Sequence, residues 1–170
     1  MKIEIIDNFL TPYYSDIFIK TFDGKNSPKG FPWYFTNDLN DVSYWGNYYF
    51  VNKVIGEDGR YNSEWHTFFN PLFDGLKIAR DKVYRLKVNL YPGTQRRIHH
   101  ASHEDYQSNC GLRTALYYVN TNNGVTIFDG KKTVKSKENR IILFDGSTKH
   151  HSTTPTDTNY RCTINIDYIL

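Results

Sequence analysis

Only two cysteines, Cys110 and Cys162, occur in 170 residues. Two thiols cannot build the disulfide framework of a small secreted domain, so both are expected to be free, in a reducing, cytoplasmic setting. No apolar run approaches the roughly 18 residues that a spanning helix needs, so no membrane segment is expected. The N-terminal stretch MKIEIIDNFL mixes acidic residues into its apolar ones and lacks a small-residue cleavage site. It does not read as a signal peptide. Neither sign of charge dominates: the net charge is +3, which permits nucleic-acid contact without indicating it. Internal repeats, linkers and low-complexity tracts are missing too.

What the chain has in abundance is aromatic residues, with 14 Tyr, 11 Phe and 3 Trp. That richness favours strands, and the length suits one domain with a sizeable core. Ile3–Ile6 reads as a short strand. Thr11 is a good N-cap and Pro12 suits a first helical position, which predicts a helix over Pro12–Phe22, ended by Asp23-Gly24. A polar loop, Lys25–Gly30, precedes two aromatic-rich strands, Phe31–Thr36 and Ser43–Asn52, around a turn at Asn37–Asp41. Glu57–Gly59 reads as a turn. Ser63 is placed to cap a second helix reaching about Arg80, with Trp65, Phe68, Phe69, Leu72, Phe73 and Leu76 as its apolar face. Pro71 should kink or split it.

From Val83 onward nearly everything reads as strand. The segments are Val83–Tyr91, Leu112–Asn120, Val125–Phe128, Lys132–Val134, Arg140–Phe144 and Tyr160–Leu170. Turn signals at Asn123-Gly124, Asp129-Gly130 and Asp145-Gly146 separate some of them. Helices followed by six or more short strands predict a mainly β (α+β) protein, with a closed or sandwiched sheet and helices on one face. Two strands carry a strict alternation. Along 85–91 and again along 161–167 the polar residues fall at odd numbers, and that face carries Tyr91, Arg161 and Thr163. Such a face ordinarily meets solvent; these residue types would equally serve a cavity that holds an anion.

The chemistry-bearing stretch is His103-Glu104-Asp105. On an extended strand, residues i and i+2 share a face, so one ion could take both the imidazole and the carboxylate. His150, just ahead of another strand-like run, is the candidate third ligand. Two His and one carboxylate leave one face of a metal open, the donor set of non-heme Fe(II) oxygenases. His99 and His100 lack a carboxylate at i+2, and His151 would face away from His150 on a strand.

Four segments in order, Tyr91-Pro92-Gly93, His103-x-Asp105, Leu116-Tyr117-Tyr118-Val119-Asn120, and Phe144-Asp145-Gly146 leading to His150 and Arg161, resemble the catalytic core of the Fe(II)/2-oxoglutarate-dependent dioxygenases, in particular the prolyl 4-hydroxylase-like group. The N-terminal Ile5-Ile6-Asp7-Asn8-Phe9-Leu10 is similar to the first strand of that group. The resemblance implies one domain over 1–170: a double-stranded β-helix (jelly roll) at 83–170, with a helical brace and early strands at 1–82 packed on the larger sheet. It implies Fe(II) held by His103, Asp105 and His150. It also implies 2-oxoglutarate as cosubstrate, its distal carboxylate on Arg161, with Thr163, Tyr91, Tyr118 and, more weakly, Asn89 around it; ascorbate is a candidate reductant. The expected reaction is hydroxylation of an unactivated C–H bond with release of succinate and CO2. The substrate the resemblance favours is a prolyl residue in a peptide or protein. A free amino acid, a small metabolite or a nucleobase is the alternative.

A non-redox, cupin-like metal-binding jelly roll is the rival from another class, and a binding module with a decayed site is a further one. Substrate choice is expected in the loops Lys25–Asp41 and Arg96–Ser102, where His99 and His100 belong either to a basic loop at the mouth or to a lid. Phe31-Pro32-Trp33-Tyr34-Phe35 reads as a stacking surface for a proline ring or as core. His66 reads as a helix residue, Cys162 as a small buried hydrophobe, and the basic run from Lys131 to Arg140 as solvated surface rather than a nucleic-acid patch.

Overall fold

The alternating pattern after Val83 is realised as two antiparallel sheets. The computed structural model describes residues 3–24, 30–37, 48–106, 111–129 and 132–170. Among these the strands are β1 (Glu4–Asp7), β2 (Tyr34–Thr36), β3 (Tyr49–Ile55), β4 (Val83–Pro92), β5 (Leu112–Tyr118), β6 (Val125–Phe128), β7 (Lys132–Lys135), β8 (Arg140–Asp145), β9 (His150–Ser152) and β10 (Tyr160–Ile169). The helices are α1 (Pro12–Phe22) and α2 (Asn70–Leu76). The larger sheet runs β1-β8-β5-β10-β4-β3-β2 and the smaller β7-β6-β9. Expected features at 25–29, 38–41 and 43–47, together with Cys110, Gly130 and Lys131, lie outside the described residues.

Register decides which face each side chain joins. β10 pairs with β4 so that Ile164 faces Val88 and Ile166 faces Leu86, while Thr163 faces Asn89 and Asn165 faces Lys87. The even-numbered face is apolar. Leu86, Val88, Cys162, Ile164 and Ile166 are buried there with Phe18, Phe22, Phe69, Leu72 and Phe73 from the helical segments. The helices therefore brace the outer face of the larger sheet, as expected. Each such fully buried side chain contributes about 1.5–3 kcal/mol. A second cluster, with Leu116, Tyr118, Ile142 and Phe144 from the larger sheet and Phe128 and Val134 from the smaller, fills the space between the sheets. This is the jelly-roll arrangement.

Several boundaries differ from expectation. The helix over Pro12–Phe22 is as predicted, with Pro12 in its first turn, but the Thr11 side chain makes no capping bond. The predicted helix over 63–80 is instead a 3-10 segment, Glu64–Phe69, followed by α2. Ser63 does cap it, accepting from the Trp65 N–H at 3.3 Å. Pro71 falls in the first turn of α2, where its missing N–H costs nothing. It splits the helix rather than kinking it. α2 then stops at Leu76, because Lys77 adopts a left-handed backbone with φ 56°. β2 begins at Tyr34, not at Phe31: Phe31 and Trp33 turn into the aromatic core, their rings 4.9 Å apart and both near Phe22. Tyr34 and Phe35 are exposed. No helix among the described residues is long and apolar enough to cross a membrane.

Candidate metal centre and anion pocket

The odd-numbered face of β4 and β10 does not meet solvent. Arg85, Asn89, Tyr91, Arg161, Thr163, Asn165 and Asp167 are all buried. The smaller sheet covers them, and between the sheets lies an open-mouthed pocket lined by Lys87, Asn89, Tyr91, Arg161, Thr163 and Asn165 together with His103 and His150. Seven buried polar side chains on one sheet face would cost several kcal/mol if left unpaired, so their pairing shows what the face is for.

His103 and His150 are brought together by backbone. Each donates its N–H to the other's carbonyl, at 3.0 and 2.9 Å, and their rings are 4.6 Å apart. The ligating atoms of His103, Asp105 and His150 all lie within 4.8 Å of one another. The His150 Nδ1 is 2.8 Å from the Thr148 carbonyl, and the His103 Nδ1 is 3.4 Å from that of Ala101. A carbonyl only accepts, so each Nδ1 is the donor of its pair, which leaves Nε2 as the nitrogen available for ligation. The His150 Nε2 lies 3.7 Å from the Asp105 carboxylate. Burial, and then the neighbouring His150, pushes His103 down to about 4, which keeps it neutral at pH 7. Two imidazoles beside one carboxylate are the donor set that a divalent transition metal takes, so the residues present fit such an ion. The expected regular strand under His103-x-Asp105 is not found: His103 makes an isolated bridge and Asp105 lies in a bend.

Asp105 is held from the sheet instead. Its Oδ1 accepts from the Arg85 guanidinium at 3.0 Å and from the Asn165 amide at 3.3 Å, and its Oδ2 lies 3.2 Å from the Thr114 hydroxyl, whose one proton it shares with Asp167. Arg85 also bonds Asp167 at 2.7 Å, Thr114 bonds Asp167 at 2.8 Å, and the Tyr106 ring packs on Arg85 at 4.9 Å. Burial works to raise the Asp105 pKa, but the neighbouring His150, Lys87, Arg85 and His103 outweigh it and the carboxyl sits below its ordinary value. Asp167 goes the other way. Burial and the neighbouring Asp105 lift it to about 6, against the pull of Arg85. Burial, and then Arg85, depresses Lys87 against the pull of Asp105 and Asp167.

At the other end of the cavity lies Arg161, 1% exposed. Its Nε donates to Ser136 Oγ at 2.7 Å and its Nη2 to Thr126 Oγ1 at 2.9 Å. The Tyr91 and Tyr118 rings lie 5.5 and 5.6 Å from its guanidinium. Among the described residues no carboxylate pairs with it. Burial raises the pKa of both tyrosines, so they remain phenols that can donate. Tyr118 donates to Thr126 Oγ1 at 2.8 Å. It thus supports the hydroxyl that positions Arg161, while Tyr91, Thr163 and Asn89 line the cavity itself.

The remaining histidines sort by position. His151 points to Asp129 at 3.6 Å and to His99 at 3.5 Å, away from the cluster. His100 is buried, stacks on Tyr91 at 5.0 Å and shares a 2.7 Å hydrogen bond with Ser152. The segment that carries it is pinned along β9 through bonds of Ile98 and His100 to Thr154 and Ser152. His66 stacks on Tyr61 within the 3-10 segment, and Cys162 is free and buried. Sequence reasoning missed Arg85, Asp167, Thr114, Asn165 and Lys87. Four of these share the two polar strand faces, and that shared face was the signal available.

No family model matches the chain, and no curated protein matches its sequence. Solved structures do match its fold. A prolyl hydroxylase from Trichoplax adhaerens, in complex with a hypoxia inducible factor oxygen degradation domain peptide fragment, superposes with a TM-score of 0.62 at 18% identity over 98% of this chain and 83% of its own. The viral collagen prolyl hydroxylase of Paramecium bursaria Chlorella virus-1, as its 2-oxoglutarate complex, gives 0.59 at 15% identity over 100% of this chain and 97% of its own. The non-heme α-ketoglutarate-dependent epimerase SnoN from nogalamycin biosynthesis gives 0.66 at 10% identity over 98% and 76%. At these identities the likeness establishes the fold.

Proposed function

We propose that the chain is an Fe(II)- and 2-oxoglutarate-dependent dioxygenase, folded as one domain, that hydroxylates an unactivated C–H bond. The observation that carries this reading is Arg161. It is a fully buried guanidinium with neutral hydroxyl partners and no acid among the described residues, opening on the same cavity as a two-His, one-Asp cluster. A buried, uncompensated cation is costly, and a dicarboxylate in the cavity relieves that cost.

When bound, the metal and the keto acid supply the oxidising chemistry, and the organic steps belong to them. The protein's part is to bind and orient. His103, Asp105 and His150 would hold the ion. Arg161 would grip the distal carboxylate, since its fork matches two oxygens and stays charged. Tyr91, Thr163 and Asn89 would complete that end of the cavity, and the two sheets exclude water from it. A non-redox jelly roll has no use for Arg161 in this place.

Within this class we assign a prolyl residue of a peptide or protein as the substrate. What supports it is the ordered set of motifs shared with the prolyl 4-hydroxylase-like group and the description of two similar structures as prolyl hydroxylases. A free amino acid, a small metabolite or a nucleobase is the other substrate reading, and the epimerase among the similar structures keeps it open.

The test is an anaerobic titration of the metal-free protein with Fe(II) and then 2-oxoglutarate. A visible charge-transfer band should develop, and should be lost in Arg161→Ala at the same cosubstrate concentration. Fe(II) binding without any band would sink the oxygenase reading and favour the non-redox jelly roll.

A further inference from the structure

The geometry points to a second anion site in the same cavity: Lys87 binds a carboxylate of the substrate. This rests on the oxygenase reading and narrows its substrate to an anionic one.

Lys87 lies on the cavity face of β4, half-buried, between Asn165 on β10 and Lys53 on β3 in the strand register. It lines the cavity beside His103. Among the described residues its ammonium makes no hydrogen bond and no ion pair. The acids near it are already engaged. Asp167 is bonded by Arg85 and Thr114, and Asp105 by Arg85, Asn165 and Thr114. An apolar side chain would fill this place at less cost than an unpaired ammonium, so the charge has a use there.

Charge balance identifies that use. Arg85 and Asp167 cancel. A divalent ion on Asp105 keeps one positive charge, and Arg161 adds another. A dicarboxylate cosubstrate neutralises those two. Among the described residues that line the cavity, the Lys87 ammonium is then the charge left without a counter-charge, and a single carboxylate on the substrate completes the balance. A second observation comes from the next inward residue on β4. Asn89 is 4% exposed, lines the cavity, and its side-chain oxygen has no hydrogen-bond partner. A buried acceptor without a donor is rare. It calls for a ligand that brings a donor beside its carboxylate, as the N–H of an amino acid or of a peptide does. The carboxylate belongs either to a free amino or imino acid or to the C-terminus of a peptide.

The experiment uses the full chain loaded anaerobically with Fe(II) and 2-oxoglutarate, titrated with acetate, L-proline and acetyl-Gly-Pro as free acids, and with acetamide, L-prolinamide and acetyl-Gly-Pro-amide. Perturbation of the charge-transfer band reports binding, and succinate release on admitting air reports turnover. The acids should bind at least tenfold more tightly than their amides. Lys87→Met and Lys87→Gln should abolish that difference while the cosubstrate band forms at the same 2-oxoglutarate concentration as in the wild type. L-Proline responding more strongly than the peptide acid places the carboxylate on a free amino acid, and the reverse places it at a chain end. Equal responses to acids and amides, or no response to any acid, overturn the inference. So does weaker 2-oxoglutarate binding in the Lys87 variants, which would assign Lys87 to the cosubstrate. A wild type that forms no band fails the oxygenase reading itself.

Discussion

Replacing Arg85 with Met should destabilise the metal-free protein and weaken its metal site, by amounts the buried network sets. Arg85 makes charged bonds of 2.7 Å to Asp167 and 3.0 Å to Asp105. Methionine fills the space but leaves two buried carboxylates facing each other. Asp167 begins at about 6 and, without Arg85, should rise past 7 and take up a proton. At pH 7 that uptake costs about 1.4 kcal/mol, one unit of pKa. Loss of the charge-assisted bonds adds up to about 1.5–3 kcal/mol each. A total of about 4–7 kcal/mol is therefore expected, at or above the cost of breaking other buried pairs. The pH dependence carries a signature. A raised acid pKa means that the native state binds its proton more tightly than the unfolded chain, so stability falls as pH rises through the unfolded and then the folded value. In the wild type that fall ends near pH 6; in Arg85→Met it continues beyond pH 7. The defect should thus be about 1.4 kcal/mol smaller at pH 5 than at pH 7.

Urea unfolding of metal-free wild type, Arg85→Met and Arg85→Met/Asp167→Met at both pH values makes the measurement. The double variant should recover most of the loss, because removing both members of a buried pair is close to neutral. It should not recover metal affinity, which should fall about 10–100-fold in both variants since Asp105 loses its orienting donor. A loss below about 1 kcal/mol in Arg85→Met at pH 7, or a defect that grows toward pH 5, would refute this account of the network.

Two further outcomes are expected. Gly124→Ala places a Cβ 2.7 Å from Arg161 Cδ and 2.8 Å from Asn122 Oδ1; the arginine must shift, so calorimetric 2-oxoglutarate affinity should fall about tenfold with metal affinity unchanged, and an unaltered cosubstrate affinity refutes the assigned role of Arg161. Burial holds His100 down to about 3 and His103 down to about 4, so the stability their neutral forms provide is complete above the unfolded value near 6.5 and is lost as pH falls toward those folded values. By pH 5 each accounts for about 2 kcal/mol, and His100→Asn should lose about that much less than the wild type between pH 7 and pH 5; equal losses in the two proteins would show that His100 is not held neutral by the fold.

Elements governed by local chemistry were legible in the sequence. α1 begins at a proline suited to its first turn and buries Phe18 and Phe22, one turn apart. β6 is bounded by turn residues, and β10 keeps its alternation from Arg161 to Asp167, where its register with β4 shifts. The 63–80 segment was misjudged because its apolar spacing fits α and 3-10 geometry alike over one turn, and tertiary packing of Phe69 and Phe73 decides between them. The site divides in the same way. His103, Asp105, His150 and Arg161 stand in recognisable order along the chain. The partners of Asp105 do not, since Arg85 and Asp167 are 82 residues apart and meet only through the β4–β10 register.

The polar faces of β4 and β10 show why the sequence left their role open. Alternation states that a face is polar; it cannot state whether water or a second sheet lies over it. Once β6, β7 and β9 cover that face, the same residues change meaning. Arg85 and Asp167 satisfy each other and fix the carboxylate of Asp105. Arg161 and Lys87 form no ion pair among the described residues, one beside hydroxyls and aromatic rings, the other beside the histidine cluster. A fold that keeps two cations under cover without counter-ions gives up stability that apolar residues would restore. On the proposed reading the two positions belong together, as places where bound carboxylates would supply the missing charge, one from a cosubstrate and one from a substrate.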